Sequence, residues 1–334
     1  MHAIQRFLKR RVLTGLTMAF IVMLGLGPAT VPAAEWTPQR PVRLLVPYGP
    51  GGSSDVIARA MAAEMSRTLG QQVIVENKGG GQGIIATMEV ARAKPDGYTL
   101  LLGHVGTLAV NPAMVPNLSY DPQRDFAPIA LLAKVPMIFA VGKNVPGTNL
   151  ASFVALAKSK PGDLNYGSAG NGSAGHLAFE MLKMATGIDV MHVPYRGTGA
   201  QTTDLLAGNI DAASAGTPGL LPHAQAGNVR IIAVGSARRL PVLNDVPTVA
   251  EQGYPGFESS QWFGLLAPAG TPAPIIDRLK KDALLALRSQ AVSERLAHDS
   301  SEPVGLGPRE FADFIQTEGE RWGEVVRRAN LRTR

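Results

Sequence analysis

Apolar positions along the chain fall into short runs and helical stripes that alternate from residue 42 onward. Residues 42–46 read as a strand, and Val56, Ile57, Ala60, Met61, Met65 and Leu69 recur at helical spacing, with Gly70 at the C′ position. A strand at 72–76, a glycine loop at 77–83, a helix at 84–93, a Lys94-Pro95-Asp96-Gly97 turn and a strand at 98–103 follow. This βαβαβ run predicts parallel strands with helices on both faces of the sheet. Residues 111–126 form a Pro/Asn-rich connector, and 127–141 is a long apolar stretch broken by Pro128 and Pro136, read as a strand passing from a first domain into a second.

The pattern then restarts. Helices are expected at 150–159, 173–185, 200–207 and 218–225, with strands at 164–166, 190–193, 210–213 and 229–234. The chain crosses back over 253–260. A strand at 262–267 and helices at 274–288, 292–298 and 308–328 complete it. Two α/β lobes (35–139 with 258–334, and 140–257) joined by two crossings make a hinged receptor architecture with a cleft between them. No tandem repeat is visible.

Two strand-to-helix joints stand out. Val46-Pro47-Tyr48-Gly49-Pro50-Gly51-Gly52-Ser53-Ser54-Asp55 breaks a strand into a Gly/Pro loop that opens onto the first helix. Gly51 and Gly52 let the backbone approach a ligand, and Ser53, Ser54 or Asp55 is expected to cap the helix. The grammar returns at Gly167-Ser168-Ala169-Gly170-Asn171-Gly172, with Ser173 as cap. One such joint is ordinary turn structure. Two, both rich in Gly and Ser and poor in charge, point to a clamp in which paired helix N-termini hold one small anion. The third strand also ends in small and polar residues, Gly103-His104-Val105-Gly106-Thr107, at the end where open α/β sheets gather ligands. His176, one turn into its helix, and Tyr195 and Arg196, in a loop after a strand, are further contact candidates. Trp262 fits either the core or a cleft wall.

Composition changes the picture in three ways. Hydrophobic residues make up 45% of the 334, with 37 Gly and 25 Pro, as in a turn-rich globular α/β protein. Arg6, Lys9, Arg10 and Arg11 precede a charge-free apolar stretch at 12–27 and small residues at 28–34, so 1–34 reads as an export signal cleaved after Ala33 or Ala34, by the general or the twin-arginine route. Those four are the only charges in 1–34. Of 32 Lys and Arg, 28 therefore remain against 26 Asp and Glu, a charge near +2 rather than +6, with no basic stripe for nucleic acid. The absence of cysteine excludes disulfides, thiolate metal sites and cysteine nucleophiles.

Other chemistries find less support. Gly81-Gln82-Gly83-Ile84-Ile85-Ala86 matches a dinucleotide pattern but follows the second strand and lacks the acid at a strand end, so it reads as a turn that starts a helix. Ser168 and Ser173 each sit in an imperfect G-x-S-x-G, so a serine hydrolase on Ser173, with Asp211 or Asp245 and His298, is the second reading. His104, His176 and His192 are scattered, and neither metal nor cofactor is expected.

Several stretches taken together resemble one family. VPYGPGGSSD at 46–55, PDGYTLLL at 95–102, NYGSAGNGSAGHL at 165–177, HVPYRG at 192–197, DVPTVAEQG at 245–253 and WFGLLAPAGTP at 262–272 are similar to the tripartite tricarboxylate transporter substrate-binding receptors, or Bug-type periplasmic receptors, across essentially the whole exported chain. The resemblance implies an α/β, two-lobed periplasmic-binding-protein fold of the Venus flytrap type II. It implies a monomeric, non-enzymatic periplasmic receptor that captures a small organic carboxylate and delivers it to a membrane permease, or to a signalling partner. It places the carboxylate on main-chain groups and bridging waters in two loops, here Tyr48, Pro50, Gly51, Gly52, Ser53, Ser54 and Asp55, and Ser168, Ala169, Gly170, Ser173 and His176. The His104 to Thr107 loop and Tyr195 contribute as well. Where many relatives carry an acid, this chain has Ala215, which disfavours a ligand ammonium and so an amino acid.

Overall fold

The structure is a computed structural model that describes residues 36–332; the export segment read at 1–34 lies outside them. Strand β1 (Val42–Val46) is buried at four of five positions, as a strand covered on both faces must be. It runs parallel to β2 (Val73–Asn77) on one side and to β3 (Thr99–His104) on the other. Helix α1 (Ser53–Leu69) lays Ile57, Met61, Met65 and Leu69 on one face of this sheet and ends at Gly70, whose φ of 70° suits a residue without Cβ. Helix α2 (Ile84–Ala91) returns the chain to β3.

After β3 the chain winds through a π-helical turn, Gly106–Val110, and a short helix α3 (Asn111–Met114). The small and polar residues there read as loop, yet all of Gly106–Val110 is buried. Tyr120 holds the turn by donating to the Thr107 carbonyl at 2.6 Å. Strand β4 (Phe126–Gly142) then runs 17 residues without a break. Its prolines cost ladder regularity only. The register slips between Pro128 and Ala130, and Pro136 stands where the strand changes partners.

Those partners define two halves of one sheet with strand order β2-β1-β3-β9-β4-β7-β5-β6. Up to Pro136, β4 pairs antiparallel with β9 (Ser260–Pro268) and β10 (Glu302–Leu306). From Met137 it pairs antiparallel with β7 (Ala212–Gly216) and, from Ile138, with β8 (Val229–Val234). Parallel strands β5 (Asn165–Ser168) and β6 (Met191–Pro194) extend the second half beyond β7. Its helices are α4 (Leu150–Ser159), α5 (Ala174–Thr186), α6 (Thr198–Ala207) and α7 (Thr217–Gln225).

Helices α8 (Ala273–Leu287), α9 (Gln290–His298) and α10 (Pro308–Arg328) close the first half. Strand β10 falls in the stretch between two expected helices where no strand was expected; it forms because β4 offers an open edge. Trp262 belongs to the core. It is 1% exposed and, like Trp322, donates its indole N–H to Glu318 at 2.8 Å, tying α10 to β9.

Candidate functional site

Four strand-to-helix joints meet around one small cavity. The first turns of α1, α5, α6 and α7 follow β1, β5, β6 and β7, so each helix presents free N–H groups at the C-terminal end of a strand. The cavity is lined by Tyr48, Gly49, Gly52, Ser53, Ser54, His104, Met137, Ala169, Ser173 to Gly175, Thr198, Ser214 to Gly216 and Gln261. None of these is an acid, a lysine or an arginine. The positive ends of the helix dipoles are therefore uncompensated by any side-chain charge in the lining.

On the first half, Gly52 and not a serine occupies the α1 N-cap, and no side chain caps the helix. Ser53 is free for another task. Its Oγ accepts from the Gln261 amide nitrogen at 2.9 Å, and the Gln261 carbonyl oxygen lies 3.0 Å from His104 Nε2. His104 Nδ1 in turn accepts from the Gly106 N–H at 2.9 Å. Burial pushes the His104 imidazole down to about 4, so the ring is neutral at pH 7.

On the second half, Ser173 caps α5 by accepting from the His176 N–H at 3.3 Å. His176 Nδ1 accepts from Gly172 N–H at 3.2 Å and its ring stacks on His192, centroids 4.1 Å apart. His192 lies against Tyr166 and holds Ser168 Oγ at 2.6 Å, and Tyr166 stacks on Phe179 at 3.8 Å. Burial lowers His176 to about 4 and His192 to about 3, the latter helped by the neighbouring His176. Ser214, fully buried in the cavity wall, has no hydrogen-bond partner for its hydroxyl among the described residues.

The halves meet through glycine backbones. Gly49 N–H donates to the Arg196 carbonyl at 3.2 Å. A Cβ on Gly49 would come within 2.7 Å of that same oxygen, and one on Gly197, whose φ is 147°, within 2.9 Å of Gly49. Contacts this close need residues without side chains. The free space between them is about 20 Å³, room for one or two waters.

The structure sorts the expected contact residues into two groups. Tyr48, Gly52, Ser53, Ser54, His104, Ala169 and Ser173 line the cavity. Pro50 and Gly51 lie against Gly199 in the closing contact. Asp55 accepts from the Gly51 N–H at 3.2 Å and pairs with Arg59 at 2.9 Å, bracing the loop from behind. Thr107 Oγ bonds the His104 backbone, Ser168 and Gly170 bond each other, and His176 backs the loop. Tyr195 donates to Asp204 at 2.6 Å, so its loop reaches the other half through the Arg196 carbonyl. His104 stands in the first half and does not join the stacked His176 and His192. Gln261, Thr198, Ser214 and Gly216 were missed; Thr198 and Gly216 had only their places at a helix start and a strand end to signal them, and Gln261 and Ser214 had nothing.

The hydrolase constellation does not assemble. Asp211 accepts from Asn165 N–H at 2.9 Å, His298 sits beside Asp299 on α9, and neither these nor Asp245 lines the cavity. A wider groove of about 890 Å³ lies between the 112–125 connector and α10. Its lining mixes Asp121, Arg124, Asp125, Glu320 and Arg327 of both signs, whereas the smaller cavity gathers four helix N-termini without a charged side chain and is the candidate site.

Residues 57–331 match the family described as the tripartite tricarboxylate transporter family receptor. The protein BugT of Bordetella pertussis is 37% identical over 302 residues, covering 90% of this chain and 93% of BugT. A solved R. palustris protein with adipate is 36% identical with a TM-score of 0.85, covering 88% of this chain and 98% of its own. MatC from Rhodopseudomonas palustris with bound malate is 37% identical with a TM-score of 0.83, covering 86% and 99%. With its two-lobed fold and its cleft of converging helix ends, the chain belongs to the tripartite tricarboxylate transporter receptor family, periplasmic solute-binding receptors and not enzymes.

Proposed function

We propose that this receptor binds a small organic carboxylate between lobes 35–139 with 258–334 and 140–257, and hands it, as a monomer, to a tripartite tricarboxylate-type permease. The observation that carries the reading is the convergence of four helix N-termini on a cavity whose lining holds no charged side chain. Backbone N–H groups and the hydroxyls of Ser53, Ser173 and Ser214 supply donors, and a carboxylate supplies only acceptors. Ala215 in the wall leaves no acid to meet an ammonium. The partner change on β4 at Pro136 and Met137 supports a lobe boundary nearby, and related structures with adipate and malate support the ligand class. A ligand touching both lobes favours the shut form by its differential affinity, which gives a permease a state to recognise.

A thermal-shift screen against mono-, di- and tricarboxylates, aromatic acids and amino acids tests it. Ligand at a hundred times its dissociation constant stabilises by about 2.7 kcal/mol. Stabilisation by a plain carboxylate, lost on Ser53→Ala, is the expected result. A response to amino acids alone, or to none of the panel, would sink the proposal.

A further inference from the structure

We propose that His104 and Gln261 are positioning residues that fix the Ser53 hydroxyl as a hydrogen-bond donor into the cavity, making this lobe selective for a carboxylate over the corresponding amide. The inference deepens the carboxylate reading and rests on it. The direction of every bond in the relay follows from one that cannot reverse. The Gly106 backbone N–H points at His104 Nδ1 at 2.9 Å, so Nδ1 must carry a lone pair and the ring proton must sit on Nε2. That Nε2–H needs an acceptor, and Gln261 Oε1 stands 3.0 Å away. With its oxygen so engaged, the Gln261 amide turns its NH₂ to Ser53, 2.9 Å away. Ser53 Oγ therefore accepts from the protein, and its own proton is left for the cavity that Ser53 lines.

The relay is enclosed and has no slack. His104 is 2% exposed, Ser53 5% and Gln261 7%, and among the described residues Ser53 Oγ has Gln261 as its one hydrogen-bond partner. Tyr48 packs edge-on against His104 at 4.8 Å, and Phe263 lies on its other side at 5.2 Å. Gly216 of the opposite lobe faces the relay, and any Cβ there would overlap both the Gln261 amide nitrogen and Ser53 Oγ. A carboxylate places a lone pair wherever the hydroxyl proton points. An amide that turns its NH₂ toward the same donors leaves a donor unpaired, a buried mismatch of the kind that dominates selectivity.

Reversing the relay tests it. In Gln261→Glu one carboxylate oxygen still accepts from His104, but the other can only accept from Ser53, which turns the hydroxyl proton away from the cavity. Calorimetry with adipate and adipamide, and with malate and malamide, is expected to show the acid-over-amide preference falling at least tenfold. The added charge also repels an acid, so the same substitution is made in Ser53→Ala, where the charge effect persists and the hydroxyl effect cannot. A tenfold difference between the two backgrounds supports the relay; a difference within twofold overturns it.

Long-range proton–nitrogen correlation spectra of the wild-type protein give a reading that no misfolded variant can spoil. A bare Nδ1 and a protonated Nε2 on His104 at pH 7 are expected, and the opposite tautomer overturns the relay. If the wild-type protein binds neither acid nor any other carboxylate of the screen, the carboxylate reading falls and the selectivity role falls with it. Binding with an unchanged preference in Gln261→Glu removes the relay alone.

Discussion

The two loops that close on each other do the same work by different means. The loop of the second lobe is held by its own neighbours in sequence: Ser173 caps α5 through His176 N–H, three residues on, and the His176 ring takes the Gly172 N–H, four residues back. The loop of the first lobe has glycine at the cap and a local bond only behind it, from Gly51 N–H to Asp55, and its cavity-facing serine is set by Gln261, 208 residues away. A local cap is bound to stability, because removing it frees orphan donors of its own helix. A serine relieved of capping can be spent on a ligand with little effect on the fold.

Acid is expected to have the largest effect, and to strike the second lobe harder. Each of the three imidazoles, two of them buried and His192 partly so, binds its proton more weakly in the folded chain, so unfolding takes up protons between pH 6.5, the unperturbed value, and about 4 for His104 and His176 or about 3 for His192. Stability is whole above that window and is lost as pH falls through it, by about 3 kcal/mol per ring as an order of magnitude. Two of the three rings stack in the second lobe. Urea unfolding at pH 7.5, 5.5 and 4.5 should show the loss, and His192→Phe should reduce it. A flat profile would contradict the neutral state of the rings.

Gly175→Ala comes next. Its Cβ would run into the Ser214 carbonyl, a backbone atom that cannot swing aside, at an expected cost of about 3 kcal/mol in chemical denaturation. Gly216→Ala meets the tip of Gln261 and Ser53 Oγ, which are side-chain atoms, so it should cost less stability and more binding. Equal losses at the two sites would erase the contrast between a rigid lobe and a relay.

At the closing contact, Gly197→Ala forces a Cβ at φ 147° against Gly49 and is expected to cost about 1–2 kcal/mol. The open form should gain population, seen as a larger radius of gyration in X-ray scattering and weaker ligand binding. No change in scattering would mean that the glycine contact does not hold the lobes shut. The smallest effects on stability separate the serines. Ser173→Ala should lose about 1 kcal/mol with its cap, whereas Ser53→Ala should stay within about 0.5 kcal/mol while losing ligand affinity. Calorimetric unfolding of both variants decides it.

Much of this was legible in the sequence, because the signals are local. Apolar spacing located β1, α1, α4, β8 and α10, and glycine after a helical stripe marked the ends of α1 and α5. Ser173 could be named as a cap from its place before a helical run. The two loops that line the cavity could be named from glycine and serine at strand ends, and the family from motifs in order along residues 46–272.

Tertiary structure decided the rest, wherever a residue's role depends on what lies opposite. Pro128 and Pro136 looked like breaks in β4, but the strand absorbs them, the first as a register slip against β9 and the second at a change of partner. Residues 302–306 carried no strand signal, yet the free edge of β4 makes them a strand. Gln261 carries no pattern at all; it matters because β9 passes beside β3 and sets it between His104 and Ser53. Periodicity and capping act over a few residues and can be read from one strand of letters, whereas a hydrogen bond's direction and a missing Cβ acquire meaning only when distant segments meet.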